Sequence, residues 1–176
     1  MSRTATEAQW SMPQAPPDAP DQHPTAVQWF RFGWNLLNLS TVFGLLVALT
    51  GRAKLRRGPR GLLLAEHYRF DFPNAGAFTV GNVVTTRHTM AALEEWHPGT
   101  FDHEDVHAWQ YCYALGLPYL PAYLLCCCWS WLRTGDWASR NVFERQAGLA
   151  RGGYVERPAT WAGWRRLTGG KTPPTP

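Results

Sequence analysis

From residue 32 to residue 51 the chain reads FGWNLLNLSTVFGLLVALTG, twenty residues without a charge, with Arg31 before them and a basic cluster after them. At about 1.5 Å per residue, a helix of that length could cross the hydrocarbon layer of a bilayer. Asn35, Asn38, Ser40, Thr41 and three glycines make it only moderately apolar. A buried or surface-lying helix is therefore the first expectation and a span the second. The pattern then shortens. GLLLAEHYRF (61–70) and AFTVGNVVTTR (77–87) flank the turn formers DFPNAG, which predicts a β-hairpin. Val80, Val83, Val84, Thr85 and Thr86 suit a strand, and Gly81 marks a bulge or a close backbone approach.

Helical spacing returns at MAALEEW (90–96), a short helix ended by HPG. Thr100 is the expected N-cap of a helix over 101–115, with Asp102 and Glu104 near its positive end and Gly116 and Pro118 beyond its last turn. YLPAYLLCCCWSWL (119–132) predicts a strongly apolar helix broken by RTGD, and SRNVFERQAGLARGGY (139–154) a third, closed by Gly152-Gly153. A helix, a hairpin and then three helices make an α+β fold with its helices mostly C-terminal.

The length suits one domain, expected over 27–165. The Pro-, Ala- and Gln-rich arm 1–26 and the tail 166–176 are expected to be disordered. With 45% apolar and 17% charged residues the chain as a whole is not a disordered protein. Its ten tryptophans favour buried area and interfaces, the membrane boundary included. Much of the +4 net charge sits in GRAKLRRGPR (51–60), read first as a solvated linker. No aromatic residue interleaves the basic ones there, so nucleic acid is not an expected partner. The segments 32–51 and 119–132 are the candidates for membrane contact.

Cys126, Cys127 and Cys128 point about 100° apart on a helix and cannot converge on one ion. With Cys112 they read as small buried apolar residues in a reducing compartment. No signal peptide pattern opens the chain, so the expected location is cytoplasmic, or membrane-associated facing the cytoplasm.

The chemistry is concentrated in HEDVHAWQ (103–110). His103 and His107, at i and i+4, share one helix face, where two imidazole nitrogens can reach one cation. Glu104 is rotated about 100° from His103, which makes it a poor ligand but leaves it able to take a proton from water on the metal. A catalytic zinc needs a third protein ligand and an open position. Glu144, in NVFERQA (141–147), is the first candidate because an antiparallel helical path returns it to the first helix. Asp136 ranks second and His97 third. Gln110 lies seven residues after His103 and is a candidate to orient a ligand.

HEDVH followed by NVFERQA resembles the two ligand helices of the gluzincin branch of zincin metallopeptidases. It is closer still to minimal gluzincin-like proteins with H-E-x-x-H-x-x-Q, then Leu-Gly, then N-x-F-E-x-x-A. Here those residues are His103, Glu104, His107, Gln110, Leu115-Gly116, Asn141, Phe143, Glu144 and Ala147, within a matched segment of about 101–154. The resemblance implies a zincin-like fold and zinc on His103, His107 and Glu144. It also implies Glu104 as the general base of peptide-bond hydrolysis and a peptide or protein substrate. Asn141 is carried over with Gln110 as a residue expected to hold a ligand in place. Where many thermolysin-like members have an aspartate four residues after the glutamate ligand, this chain has Gly148. Tyr111, Tyr123, Tyr154 and Arg145 are the groups available to stabilise an oxyanion. A non-catalytic, zinc-stabilised or membrane-associated interaction module is the alternative function.

Overall fold

The computed structural model describes residues 23–73 and 75–170; most of the expected N-terminal arm and the end of the tail lie outside them. The apolar stretch 32–51 is not one helix. It is divided between α1 (Ala26–Leu37) and α2 (Ser40–Thr50), bent by 75° at Asn38-Leu39. The polar residues at the break cause the bend. Asn38 Oδ1 accepts from the Ser40 N–H (3.1 Å) and from Ser40 Oγ (2.7 Å), while Leu39 takes a left-handed conformation at φ 65°. No single helix among the described residues is long and apolar enough to cross a membrane. Thr25 and Gln28 form a reciprocal capping box that starts α1 inside the expected disordered arm.

The basic stretch expected to be a linker is the edge of a sheet. β1 (Lys54–Arg57) pairs antiparallel with β2 (Leu63–Glu66), and a 3-10 turn at Pro59–Gly61 joins them. β2 then pairs in parallel with β4 (Val83–Thr86), which is antiparallel to β3 (Ala77–Val80), giving the order β1-β2-β4-β3. The expected hairpin between 61–70 and 77–87 is thus corrected: the hairpin is β3–β4, and its turn is Gly81-Asn82. Gly81, at φ 61°, fits the first turn position, and a Cβ there would stand 2.4 Å from the Thr41 nitrogen. The expected close backbone approach is therefore present, at a turn. Asn82, fully buried, bonds Thr41 Oγ1 (2.9 Å), the Phe32 carbonyl (3.3 Å) and Asn35 (3.3 Å), tying the hairpin to α1 and α2.

Four helices follow before a short C-terminal one. They are α3 (Met90–Trp96), α4 (Thr100–Tyr113), α5 (Tyr119–Thr134) and α6 (Val142–Ala147), then α7 (Ala162–Leu167) against α5. α7 runs into the expected disordered tail. Thr100 is the first residue of α4 rather than its cap; Gly99 precedes it at φ 93°, and Glu94 caps the helix by accepting from the Gly99 and Phe101 N–H groups. The helix expected over 139–154 is only six residues long because Gly148, at φ 92°, turns the chain away. Cys112 and Cys127 are buried, but Cys126 is half-buried and Cys128 exposed, so the cysteines are not uniformly core residues. The architecture is α+β: a small four-stranded mixed sheet and seven α-helices among the described residues.

α4 is the axis of the molecule. It packs on β3, α1, α3 and α6 at once. Leu62, Leu64, Val84, Met90, Leu93, Phe101 and Ala108 form the main apolar cluster between α4 and the sheet. A helix enclosed this completely cannot leave its polar residues unpaired. Asp105 meets Arg31 of α1 at 2.5 Å and Arg60 at 3.4 Å, and Asp102 meets Arg60 at 2.7 Å. The remaining polar residues of α4 face the other way.

Candidate metal centre

His103 and His107, one turn apart on α4, bring their Nε2 atoms to 3.1 Å of each other. Glu144 on α6 completes a triangle, with Oε2 3.2 Å from His103 Nε2 and Oε1 3.6 Å from His107 Nε2. Ligand atoms bound at ~2.0–2.1 Å in a tetrahedral array stand roughly 3.4 Å apart. All three separations fall near that value, and the three side chains form a buried group that could hold a metal ion. Asp136 and His97 are not part of it. Asp136 is spent on a turn, accepting from the Ala138 and Ser139 N–H groups (3.1 and 2.8 Å). His97 ends α3.

The hydrogen bonds behind the histidines fix which nitrogen each presents. The Gln110 amide nitrogen donates to the Phe143 carbonyl at 3.0 Å, and a carbonyl can only accept, so Gln110 Oε1 must face His107. That oxygen lies 2.8 Å from His107 Nδ1 and accepts its proton, leaving a lone pair on Nε2. Tyr119 donates its hydroxyl to the same Oε1 at 2.8 Å. His103 Nδ1 donates to the Gly148 carbonyl at 3.1 Å, which again leaves Nε2 as the acceptor. A backbone oxygen, that of Gly148, thus supports His103.

Two lone pairs and a carboxylate therefore point at one another. Burial pushes the Glu144 carboxyl up, but the two histidines and the Tyr123 hydroxyl outweigh it and hold the group far below the usual carboxylate range. Burial by itself would lower His107. The nearby Glu144 carboxylate and the charge of Glu104 reverse that and raise it. Both directions describe a site that attracts positive charge. One proton can bridge one pair of these atoms; 3.6 Å between His107 and Glu144 is too long for a second good bond. A cation reaches all three. Glu144 Oε2, buried and without a hydrogen-bond partner, is left for it.

Glu104, also buried, stands beside the triangle rather than in it. Its carboxylate accepts from Thr79 Oγ1 at 2.6 Å, so β3 holds it from the side away from α6. Asn141 does not touch a ligand: it accepts from the Phe143 N–H at 3.0 Å, capping α6, and donates to Cys127 Sγ at 3.2 Å. Its contribution is to aim the helix that carries Glu144. Arg140 and Arg145 leave Glu144 alone and pair with Glu156 instead, at 3.0 and 2.6 Å. Of the groups considered for an oxyanion, Tyr123 is committed to Glu144, Tyr111 packs on Tyr119, and Tyr154 lies against His103 with ring centroids 6.0 Å apart. Gly152 closes over the same ring: a Cβ there would be 2.7 Å from His103 Nε2.

Thr79, Tyr119, Gly148 and Gly152 had no signal in the spacing of the motif. Thr79 does sit in the strand-like run FTV, at a position that shares a face with neither Phe78 nor Val80. No protein-family model, no curated protein and no solved structure matches this chain.

Proposed function

We propose that the chain is a zinc-dependent hydrolase with a zincin-like domain, acting on a peptide or protein substrate. The observation that carries this reading is the buried His103–His107–Glu144 triangle with a carboxylate, Glu104, beside it. The expected arrangement of a gluzincin-type site, two histidines from one helix and a glutamate from a later one, is compatible with it. His103, His107 and Glu144 would hold the ion through Nε2, Nε2 and a carboxylate oxygen. Bound there, zinc supplies a lowered pKa for water and polarisation of a carbonyl.

The side chains do the rest. Glu104 takes a proton from the attacking water and hands it to the leaving amine, with Thr79 holding its carboxylate in place. Gln110 and the Gly148 carbonyl keep both imidazoles in the metal-binding tautomer. Tyr123 orients Glu144.

Burial favours a second reading. His103, Glu104, His107 and Glu144 are all 7% exposed or less, as suits an ion that only holds α4 to α6. One set of measurements separates the two. Purified protein is expected to carry about one zinc per chain by elemental analysis. H107A is expected to lose it, and E104Q to keep it while losing cleavage of a quenched-fluorescent peptide library. Zinc without cleavage in the unaltered chain would leave the structural role; no stoichiometric metal would sink both.

A further inference from the structure

α1 is built inside out. Its buried residues are Arg31 and Asn35, while Val27, Trp29, Phe30, Leu36 and Leu37 are exposed. A helix of a water-soluble domain turns its apolar face inward. α2 continues the inversion, burying Ser40, Thr41, Gly44 and Ala48 and exposing Leu46 and Leu49. The turn between α4 and α5 meets the bend between these helices: a Cβ on Gly116 would stand 2.6 Å from Asn38 Cγ. Leu37, Leu39 and Leu115 are thus gathered at one apolar corner, Leu37 being 77% exposed. Patches this apolar and this continuous are contact surfaces.

Charge selects the occupant. From His23 to Ala65 the chain has no acidic residue; Arg52 follows α2, and Lys54 and Arg57 lie on the exposed edge strand β1, where Arg56 pairs with Glu66. A second copy docking the same face would set these cations against each other. An anionic lipid surface complements them. Three polar side chains of α1 bond inward to the rest of the protein: Arg31 to Asp105, Asn35 to the Ala108 carbonyl at 2.9 Å, and Trp34 Nε1 to the Cys112 carbonyl at 3.1 Å. These polar side chains therefore turn into the protein and leave the exposed row to apolar ones. α1 and α2 have the length and apolar composition of a membrane segment only together, as a bent pair. Each arm is roughly 16–18 Å long, about half of a ~30 Å hydrocarbon core.

We infer that the α1–α2 corner inserts into one leaflet of an anionic membrane, with the basic strand β1 at headgroup level. This does not rest on the metal reading. The test is flotation of the full chain with vesicles of phosphatidylcholine, alone or with about 30% phosphatidylglycerol, each with and without a zinc chelator. The chain is expected to float with the anionic vesicles, chelator or not. L37E/L46E, which alters exposed positions, is expected to weaken partitioning about tenfold or more with an unchanged melting curve. K54Q/R57Q is expected to weaken it about fivefold per charge on anionic vesicles only. A folded chain that floats with neither vesicle overturns the inference. So does a concentration-dependent dimer abolished by L37E/L46E, or anionic binding indifferent to K54Q/R57Q.

Discussion

The amide of Gln110 bonds the ring of His107 on the edge opposite Glu144, at 2.8 Å, and its other end is pinned by the Phe143 carbonyl on the helix that carries Glu144. One side chain therefore sets the tautomer of His107 and the position of the element bearing Glu144.

Replacing it tests that coupling. Q110L removes the acceptor for His107 Nδ1 and for the Tyr119 hydroxyl, so His107 is free to protonate at Nε2. Zinc affinity, measured by competition with a chromogenic chelator, is expected to fall about 10–100-fold. Q110E keeps the acceptor for His107 but loses the amide donor to the Phe143 carbonyl, and is expected to recover only part of the affinity.

Gly152 is a second point of leverage. G152A would place a methyl group 2.6 Å from His103 Cε1 and 2.8 Å from Tyr154, so the ring of His103 or the loop must shift. Zinc affinity is expected to fall by about tenfold or more, as when ligand support is lost. G33A serves as the control. Its Cβ would meet nothing within 4 Å in α1, and it is expected to raise stability by about 0.5–1 kcal/mol in chemical denaturation.

The Arg31–Asp105 pair carries the attachment of α1 to α4. Arg31 is fully buried, so R31M leaves the Asp105 carboxylate short of its nearest countercharge. The expected loss is about 3 kcal/mol in urea denaturation. R31M/D105L, which removes both charges, is expected to recover at least half of that loss.

Glu66 gives a pH dependence outside the metal site. Burial raises its carboxyl, but the Arg56 guanidinium, bonded at 2.9 Å through two nitrogens, and the Met90 N–H at 2.8 Å outweigh it and lower the folded value. A depressed carboxylate contributes stability that is fully present above its unfolded value of about 4.3 and is lost as pH falls through the folded value below it. Denaturation curves of E66Q and the unaltered chain are expected to differ most near neutral pH and to converge below about pH 4. A gap that stayed constant with pH would assign the effect to packing.

Local patterns carried the middle of the chain well. The helix expected at 101–115 is observed at Thr100–Tyr113, the one at 90–96 within the same bounds, and the apolar one from 119 extends to Thr134. The i, i+4 spacing was enough to put His103 and His107 on one face, and an antiparallel return was enough to bring Glu144 to them. What stayed hidden depends on distant partners. β2 pairs in parallel with β4, with β3 between them in sequence, and no local signal announces that; Gly81-Asn82 is a dipeptide that suits the true hairpin turn, but within its strand-like run Gly81 reads as a bulge or a close backbone approach. Arg31 looked like a flank of an apolar run because its partner Asp105 lies 74 residues away. Thr79 and Glu104 are 25 residues apart, on elements whose packing only the sheet order determines.

The six-residue length of α6 bears on how such a centre comes into being. Helices below ~12–15 residues barely persist by themselves in water. Its carboxylate is delivered by an element that exists only once Asn141, Gln110 and Tyr123 have gripped it. An ion held by this triangle would then be captured late in maturation, because its third donor arrives only when the tertiary contacts close.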